Sequence, residues 1–182
     1  MRGEAYLDIE TSYNGRLTVV GVYREDNSET IGEFQNKAVV SKGTKGSSIQ
    51  LIGQMITPAA LLEILKGVKT IFTYNGSRFD LPVIKRVAGL DLRGYFKSHD
   101  LMYDCWRQNL YGGLKAVERK LGIKRKLPDV DGWEAMALWA RYERFNDKAA
   151  LHQLLIYNRE DIENLPLLRE KLSGNWSAVI GN

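Results

Sequence analysis

The spacing of apolar residues changes along the chain from a strand-like to a helix-like period. In the N-terminal part, apolar and polar residues alternate, which predicts strands over 4–11, 16–25 and 28–35. Asn14 with Gly15, and Asp26 with Asn27, are turn-forming pairs between these strands. The three strands are therefore expected to form an antiparallel meander.

Beyond residue 56, short apolar runs and amphipathic segments alternate. The pattern predicts, in order, a helix over 57–66, a strand over 69–74, a helix over 79–88 and a strand over 94–98. The rest of the chain has helical spacing, whereas the glycine- and serine-containing segment 36–52 is predicted to be a flexible loop. We expect an α/β fold with a mixed five-stranded sheet, three antiparallel strands and then two parallel ones, flanked by helices.

The first strand carries two acidic residues, Asp8 and Glu10, inside a largely apolar run. With a period of two, both carboxylates emerge on one face of the strand. Two anions at this spacing repel each other, so a cation beside them is the natural compensation. The alternative is a strand whose outer face is simply polar.

A third carboxylate, Asp80, lies where the strand over 69–74 gives way to the next helix, after a turn at Asn75 and Gly76. Ligand-binding groups of α/β sheets gather at such strand ends. The alternative is that Ser77 or Asp80 only caps the helix.

The C-terminal helix presents Tyr157 and Asp161 one turn apart, on the flank of its apolar stripe. Asn146 is the expected N-cap of this helix, and Pro166 predicts a kink or break after Asp161. An amphipathic helix with an incidental tyrosine and aspartate is the alternative for this segment.

Together the three segments resemble the DEDD superfamily of 3′ to 5′ exonucleases, in its tyrosine-containing, DnaQ-like subclass with an RNase H-like fold. The resemblance lies in D-I-E-T at 8–11, N-G-x-x-F-D at 75–80 and Y-x-x-x-D at 157–161, in the order of that family. Residues 95–168 also look like the RNase H-like predicted exonucleases of the YprB type, through HDL, GGLKAVERKLGI, GWEAMALW and LLIYNREDIENL. The likeness extends from about residue 4 to about residue 172.

This resemblance implies one RNase H-like domain over 1–172, followed by a short tail over 173–182. It also implies a metal-dependent 3′ to 5′ exonuclease that acts on single-stranded DNA or RNA with a free 3′ end. In such a site Asp8 bridges two ions, and Glu10 and Asp161 complete the site of the ion that carries the nucleophile. Asp80 holds the second ion through water, and Tyr157 orients the attacking water.

The ions expected at this all-oxygen site are Mg²⁺ or Mn²⁺, two per site. The only histidines and cysteine, His99, His152 and Cys105, have no zinc-like spacing. Because a phenol has an ordinary pKa of about 10, Tyr157 is expected to position the water by hydrogen bonding rather than to remove its proton.

Four further residues accompany the carboxylates. The resemblance implies that Thr11, Asn75 and Phe79 contact the terminal nucleotide, where Phe79 stacks on a base. The alternative for Phe79 is a place in the core. Asp100 either supports the metal ligands from behind or caps the helix that begins near Leu101.

The net charge of +4 and the pI near 9.1 favour a polyanionic partner. Much of the excess lies in one basic cluster, composed of Lys115, Arg119, Lys120, Lys124, Arg125 and Lys126. These side chains are expected to follow a phosphate backbone; a solvated helix face is the alternative.

The 182 residues carry no signal-like or membrane-spanning apolar stretch, so we expect a cytoplasmic protein with no membrane partner. The lone cysteine fits a reducing compartment.

Three other functions are alternatives to the exonuclease: an RNase H-like endonuclease or resolvase, a non-catalytic nucleic-acid-binding module, and a hydrolase of small nucleotides.

Overall fold

The computed structural model describes residues 3–25, 38–43 and 45–174. Within them, a mixed sheet has the strand order β3-β4-β2-β1-β5-β6. Its six strands are β1 (Glu4–Thr11), β2 (Leu17–Arg24), β3 (Val39–Lys42), β4 (Ser47–Ile52), β5 (Thr70–Thr73) and β6 (Lys97–Asp100). The first four strands pair antiparallel, whereas β5 lies parallel to both β1 and β6. The predicted α/β class and mixed sheet are confirmed, but the sheet has six strands rather than five.

The segment 36–52 is not the predicted loop, because it contains β3 and β4. Gly43 and Gly46 close this hairpin, with the amide of Gly43 donating to the carbonyl of Gly46 at 2.8 Å. In β4, apolar Ile49 and Leu51 alternate with polar residues, and all of them are buried because the strand is covered on both faces. The glycines and serines that precede Ile49 are what suggested a loop. The strand predicted over 28–35 lies outside the described residues.

Helices cover both faces of the sheet and dominate the second half of the chain, as predicted. They are α1 (Pro58–Ile64), α2 (Asp80–Ala88), α3 (Leu101–Arg107), α4 (Leu114–Lys120), α5 (Gly132–Phe145) and α6 (Lys148–Ser173). Strand β6 begins three residues later than predicted, because a 3-10 turn precedes it at Leu92–Gly94. No helix in the described ranges is long and apolar enough to cross a membrane.

Helix α6 starts and continues differently from the prediction. Asn146 adopts a left-handed conformation (φ 53°) that ends α5, and Asp147 is the N-cap of α6. The carboxylate of Asp147 accepts from the amide of Ala150 at 3.0 Å. The helix does not break after Pro166 but continues to Ser173. Leu165 and Leu168, on either side of this proline, are buried in the core, and that packing holds the helix in place.

The alternation of β1 decides which layer each of its side chains enters. Leu7 and Ile9 belong to the core on the α1 and α2 side of the sheet. Tyr6 packs into the opposite core, with residues of α3, α4 and α6. Asp8 and Glu10 therefore share the face of Tyr6 and point toward the layer that contains α6.

Gly21, in the middle of β2, allows α6 to approach this face closely. It pairs with Asp8 in the antiparallel register of β1 and β2. A Cβ atom at Gly21 would lie 2.2 Å from Oδ1 of Asn158 and 3.2 Å from Cδ1 of Ile162. Since both residues belong to α6, a side chain at position 21 would displace the helix or the Asn158 side chain.

We therefore expect Gly21→Ala to lower the free energy of unfolding by about 1–3 kcal/mol, the usual cost of overpacking. Urea denaturation followed by circular dichroism measures this change. Gly94→Ala is the matched control, because a Cβ there meets no atom within 4 Å. Equal stability of the two variants would contradict the close approach of α6.

Candidate metal centre

Three carboxylates from two elements meet at one point of the structure. One oxygen each from Asp8 and Glu10 of β1 and from Asp161 of α6 lie within 4.8 Å of one another. Glu10 and Asp161 are buried, and Asp8 is partly exposed. Hard divalent cations take oxygen ligands of this kind, so the three side chains fit a Mg²⁺ or Mn²⁺ ion.

Crowding makes the charged forms of these acids costly in the absence of a cation. Burial raises the pKa of Asp8 and of Glu10 well above the usual range, and the neighbouring charges of Asp161 and Asp80 raise both further. Burial also raises the pKa of Asp161, to about 6, although Arg125 opposes this shift. A divalent ion would offset the repulsion between these carboxylates.

Asp80, the first residue of α2, lies beside the trio and lines the same cleft. Its Oδ1 atom accepts a hydrogen bond from the backbone amide of Ile9 at 3.1 Å, between the two acids of β1. Burial raises its pKa to about 7. Ser77 does not cap α2, because its hydroxyl donates to Asp100 at 2.6 Å. Asp80 thus lies where a strand gives way to a helix, as predicted, and the structure brings it into the same cleft as Asp8 and Glu10.

Tyr157 lines the cleft one helical turn before Asp161 and is buried. Two cations lie near its ring, with Lys115 Nζ 4.9 Å and Arg125 Cζ 5.5 Å from the ring centre. Burial raises the pKa of the phenol above its usual range, and the adjacent carboxylates of Asp161 and Glu10 add to this. The phenol therefore remains protonated at neutral pH and is available as a hydrogen-bond donor.

Arg125 departs from its predicted place in the exposed basic cluster. Its side chain is only 5% exposed, with Nη2 2.5 Å from Oδ1 of Asp161 and Nη1 2.7 Å from Oε2 of Glu118. The loop around it is attached to α6, where the Glu160 carboxylate accepts from the backbone amides of Lys126 and Leu127. Arg125 thus belongs to the acidic site and does not follow a phosphate backbone on the surface.

The other members of the basic cluster differ in exposure: one is partly buried and four are exposed. Lys115 is partly buried beside Tyr157, and burial together with the Arg125 charge lowers its pKa. The exposed members are Arg119, Lys120, Lys124 and Lys126. For these four, attraction of a polyanion stays a prediction.

Two supporting residues of the site were not identified from the sequence, Glu118 and Asn158. Glu118 is buried and also accepts from Nδ2 of Asn164 at 2.9 Å. Asn158 donates from Nδ2 to Oδ2 of Asp8 at 3.0 Å, and its own Oδ1 accepts from Gln50 at 2.9 Å. Two features of the sequence could have identified these residues. Glu118 lies next to Val117 on the apolar face of α4, and Asn158 lies three residues before Asp161.

The predicted substrate contacts all border the same cleft, which has a volume of about 440 Å³ and includes Thr11, Asn75 and Phe79. Phe79 is 45% exposed, so the alternative that it belongs to the core is wrong. The first turns of α5 also line this cleft, through Trp133 and Met136, which sequence reasoning did not assign to the site.

Asp100 holds the turn behind this wall of the cleft. Its carboxylate accepts from the amides of Asn75 and Ser77 at 2.8 and 3.0 Å. It also caps α3, accepting from the amide of Met102 at 3.1 Å. The helix-capping alternative is therefore correct, and the same carboxylate also fixes the segment that leads to Phe79 and Asp80.

The raised pKa of Asp80 predicts how stability depends on pH in the absence of metal. Because the folded-state pKa of about 7 exceeds the ordinary value of 3.8, the stability linked to this group is complete below about pH 4 and is lost as the pH rises through 7. Asp80→Asn removes this loss, so in EDTA it should raise Tm at pH 8 and give a smaller gain at pH 5. Differential scanning calorimetry measures both values.

Asp91→Asn serves as the control, because Arg93 and Lys85 hold the pKa of exposed Asp91 below its usual range. That variant should not gain stability at pH 8. A wild-type Tm that equals that of Asp80→Asn at pH 8 would contradict the buried, repelled state of Asp80.

A family model of the RNase H superfamily matches residues 5–173. Comparison with curated proteins gives no significant match, and neither does comparison with solved structures. The matched region includes every strand from β2 to β6, nearly all of β1 and the whole acidic cleft. The sheet, the flanking helices and the family match agree, and the chain belongs to the RNase H superfamily.

Proposed function

We propose that this protein is a metal-dependent exonuclease that removes nucleotides from the 3′ end of single-stranded DNA or RNA. Membership of the RNase H superfamily supports a nuclease that acts on nucleic acid with divalent metal ions. The finer proposal depends on one observation: Tyr157 lies one turn before Asp161 and lines the same cleft as Asp8 and Glu10. This arrangement is the one expected from the resemblance to tyrosine-containing 3′ to 5′ exonucleases.

The proposed ligands divide into a trio and a single carboxylate. Asp8, Glu10 and Asp161 would hold one Mg²⁺ or Mn²⁺ ion, and Asp80 would hold a second together with Asp8. Bound at these positions, two ions supply an activated water and stabilise the leaving 3′ oxygen. The charge of these four carboxylates balances two divalent ions, since the charge of Glu118 is already neutralised by Arg125.

Tyr157 would position the attacking water through its hydroxyl group. Its raised pKa excludes the phenolate as a base at neutral pH, but it preserves the O–H donor. The ring is buried and in contact range of Lys115 and Arg125, so the hydroxyl has little freedom to rotate away. Fixed orientation of this kind is a recognised source of rate enhancement.

The size of the cleft is sufficient for one terminal nucleotide. Its volume of about 440 Å³ is that of a small-ligand site. The lining residues Thr11, Asn75, Phe79 and Trp133 would contact a terminal nucleotide. An RNase H-like endonuclease would use the same carboxylates, but it would not need a free end.

Incubation with 5′-labelled single-stranded DNA and RNA in Mg²⁺ or Mn²⁺ tests the proposal. We expect a ladder that shortens from the 3′ end, no cleavage of a circular single strand, and no ladder in EDTA. Asp8→Ala and Asp161→Asn should abolish the ladder, whereas Asp91→Asn, a surface change, should preserve it. Cleavage of the circle would favour the endonuclease, and release of nucleotides from the 5′ end would exclude the proposed polarity.

Tyr157→Phe should lower the single-turnover rate on the order of 10²-fold, because the water loses its fixed partner. Mn²⁺ affinity, measured by electron paramagnetic resonance, should remain within twofold of wild type, since the phenol is not proposed as a ligand. Tyr142→Phe, on the neighbouring helix α5, is the control and should keep the wild-type rate. If Tyr157→Phe kept the wild-type rate, the hydroxyl group would not position the attacking water.

A further inference from the structure

Asp161 is the one carboxylate of the trio that α6 contributes, and a single cation orients it. Within the described ranges, Arg125 is the sole hydrogen-bond donor to this carboxylate, from Nη2 to Oδ1 at 2.5 Å. The other oxygen, Oδ2, has no such partner there and is left for a cation. The direction in which Asp161 points therefore depends on Arg125.

The guanidinium of Arg125 is itself fixed by Glu118. Oε2 of Glu118 lies 2.7 Å from Nη1 of Arg125, and its Oε1 accepts from Nδ2 of Asn164 at 2.9 Å. Asn164 follows Asp161 by three residues on α6, so this chain of contacts begins and ends on the same helix. A planar guanidinium between two fixed carboxylates is restricted to one orientation.

The backbone next to Arg125 is also attached to α6. The carboxylate of Glu160, the residue before Asp161, accepts from the amides of Lys126 and Leu127. The loop therefore places the guanidinium before any ion binds, and support of this kind keeps a metal ligand in its productive geometry.

Stability alone does not account for the buried pair of Arg125 and Glu118. Their side chains are 5% and 1% exposed, so both charges have lost most of their hydration. Buried ion pairs are often no more stabilising than apolar residues of the same volume. In the part of the chain that the structure describes, Nε of Arg125 is also buried without a hydrogen-bond partner, which is a further cost. The contact with Asp161 gives the pair a function other than stability.

Arg125 can affect an ion at the trio in two opposite ways. Its positive charge repels a divalent ion, which lowers metal affinity. Its hydrogen bond holds Asp161 beside Asp8 and Glu10 against their repulsion, which raises metal affinity. Because the adjacent carboxylate of Glu118 compensates the charge of Arg125, orientation should be the larger effect.

We propose that Arg125, held by Glu118, is a positioning residue that orients Asp161 for the binding of a divalent ion. This role rests on the proposed function only in that the trio binds metal, and it requires no particular nucleic-acid substrate. Two residues outside the acidic motifs of the sequence thereby become part of the metal centre.

Isothermal titration calorimetry of the metal-free protein with Mn²⁺ tests this role in the double variant Arg125→Met with Glu118→Gln. The two substitutions together leave the net charge unchanged, so they remove the orientation of Asp161 without a change in overall electrostatic attraction. We expect Mn²⁺ affinity to fall about 10- to 100-fold, the usual effect of losing a partner that orients a metal ligand. Arg125→Lys keeps the charge but not the planar fork, and its affinity should lie between the two.

Water-proton relaxation by bound Mn²⁺ separates positioning from a purely structural effect. At saturating Mn²⁺, the ion in the double variant should carry about one more water molecule, because water replaces a carboxylate that leaves an octahedral ion. A misfolded fraction would instead lower the stoichiometry measured by calorimetry. Circular dichroism confirms that the variant is folded.

The matched control is Arg169→Met with Glu4→Gln, since Arg169 is also on α6 and its Nη1 lies 2.8 Å from Oε2 of Glu4. Neither residue lines the acidic cleft, so this variant should bind Mn²⁺ like wild type. Wild-type affinity in the Arg125 and Glu118 double variant would overturn the positioning role. Tighter binding would also overturn it, and would make Arg125 a cation that competes with the metal.

The outcome is separable from that of the proposed exonuclease activity. Saturable Mn²⁺ binding that the double variant weakens, without any ladder from wild-type protein, would support the role of Arg125 and contradict the exonuclease. A wild-type ladder with unchanged Mn²⁺ affinity in the double variant would do the reverse. Wild-type protein that binds no Mn²⁺ would overturn both.

Discussion

Mutual repulsion of buried carboxylates is the constraint on which the rest of this structure depends. Asp8 and Glu10 are placed on one face by the period of β1, and α6 must approach that face for Asp161 to join them. The approach requires Gly21, where any side chain would meet Asn158. Packing free energy from the surrounding apolar cores therefore holds together charges that would separate in water. Buried acids with raised pKa values mark a candidate functional site, and a bound cation would offset their repulsion.

Arg125 and Glu118 partly compensate the negative charge of the acidic site. Glu118 is buried behind Arg125 and fixes its guanidinium, which in turn contacts Asp161. A buried acid with an unpaired charge would be strongly destabilising, so this pair stabilises Asp161 as a carboxylate. A metal ion bound to the trio would compete with Arg125 for the same oxygen atoms, or share them. Arg125 would thus act on metal affinity through Asp161 and through its own positive charge.

Strand alternation correctly placed Asp8 and Glu10 on one face of β1, and the resemblance to a known family indicated that Asp161 joins them, as the cluster of three carboxylates shows. That this cluster binds metal stays a prediction. Strand β4 was not predicted because the glycines and serines that precede Ile49 suggested a loop, although Ile49 and Leu51 alternate with polar residues. The sequence did not predict that the Arg125 side chain is buried against Glu118 and Asp161. A residue in a loop has no periodic pattern that shows where its side chain points. Long-range contacts of this kind follow from packing and not from local pattern.

The central claim is that the trio of carboxylates holds a divalent ion, and Mn²⁺ titration of the metal-free protein by isothermal calorimetry tests it most directly. The account predicts saturable binding, accompanied by a rise in Tm, that Asp161→Asn and Asp8→Ala both abolish at the tightest site. Asp80→Asn should retain that site, because Asp80 lies outside the trio. Equal Mn²⁺ affinity in wild type and Asp161→Asn would contradict the account.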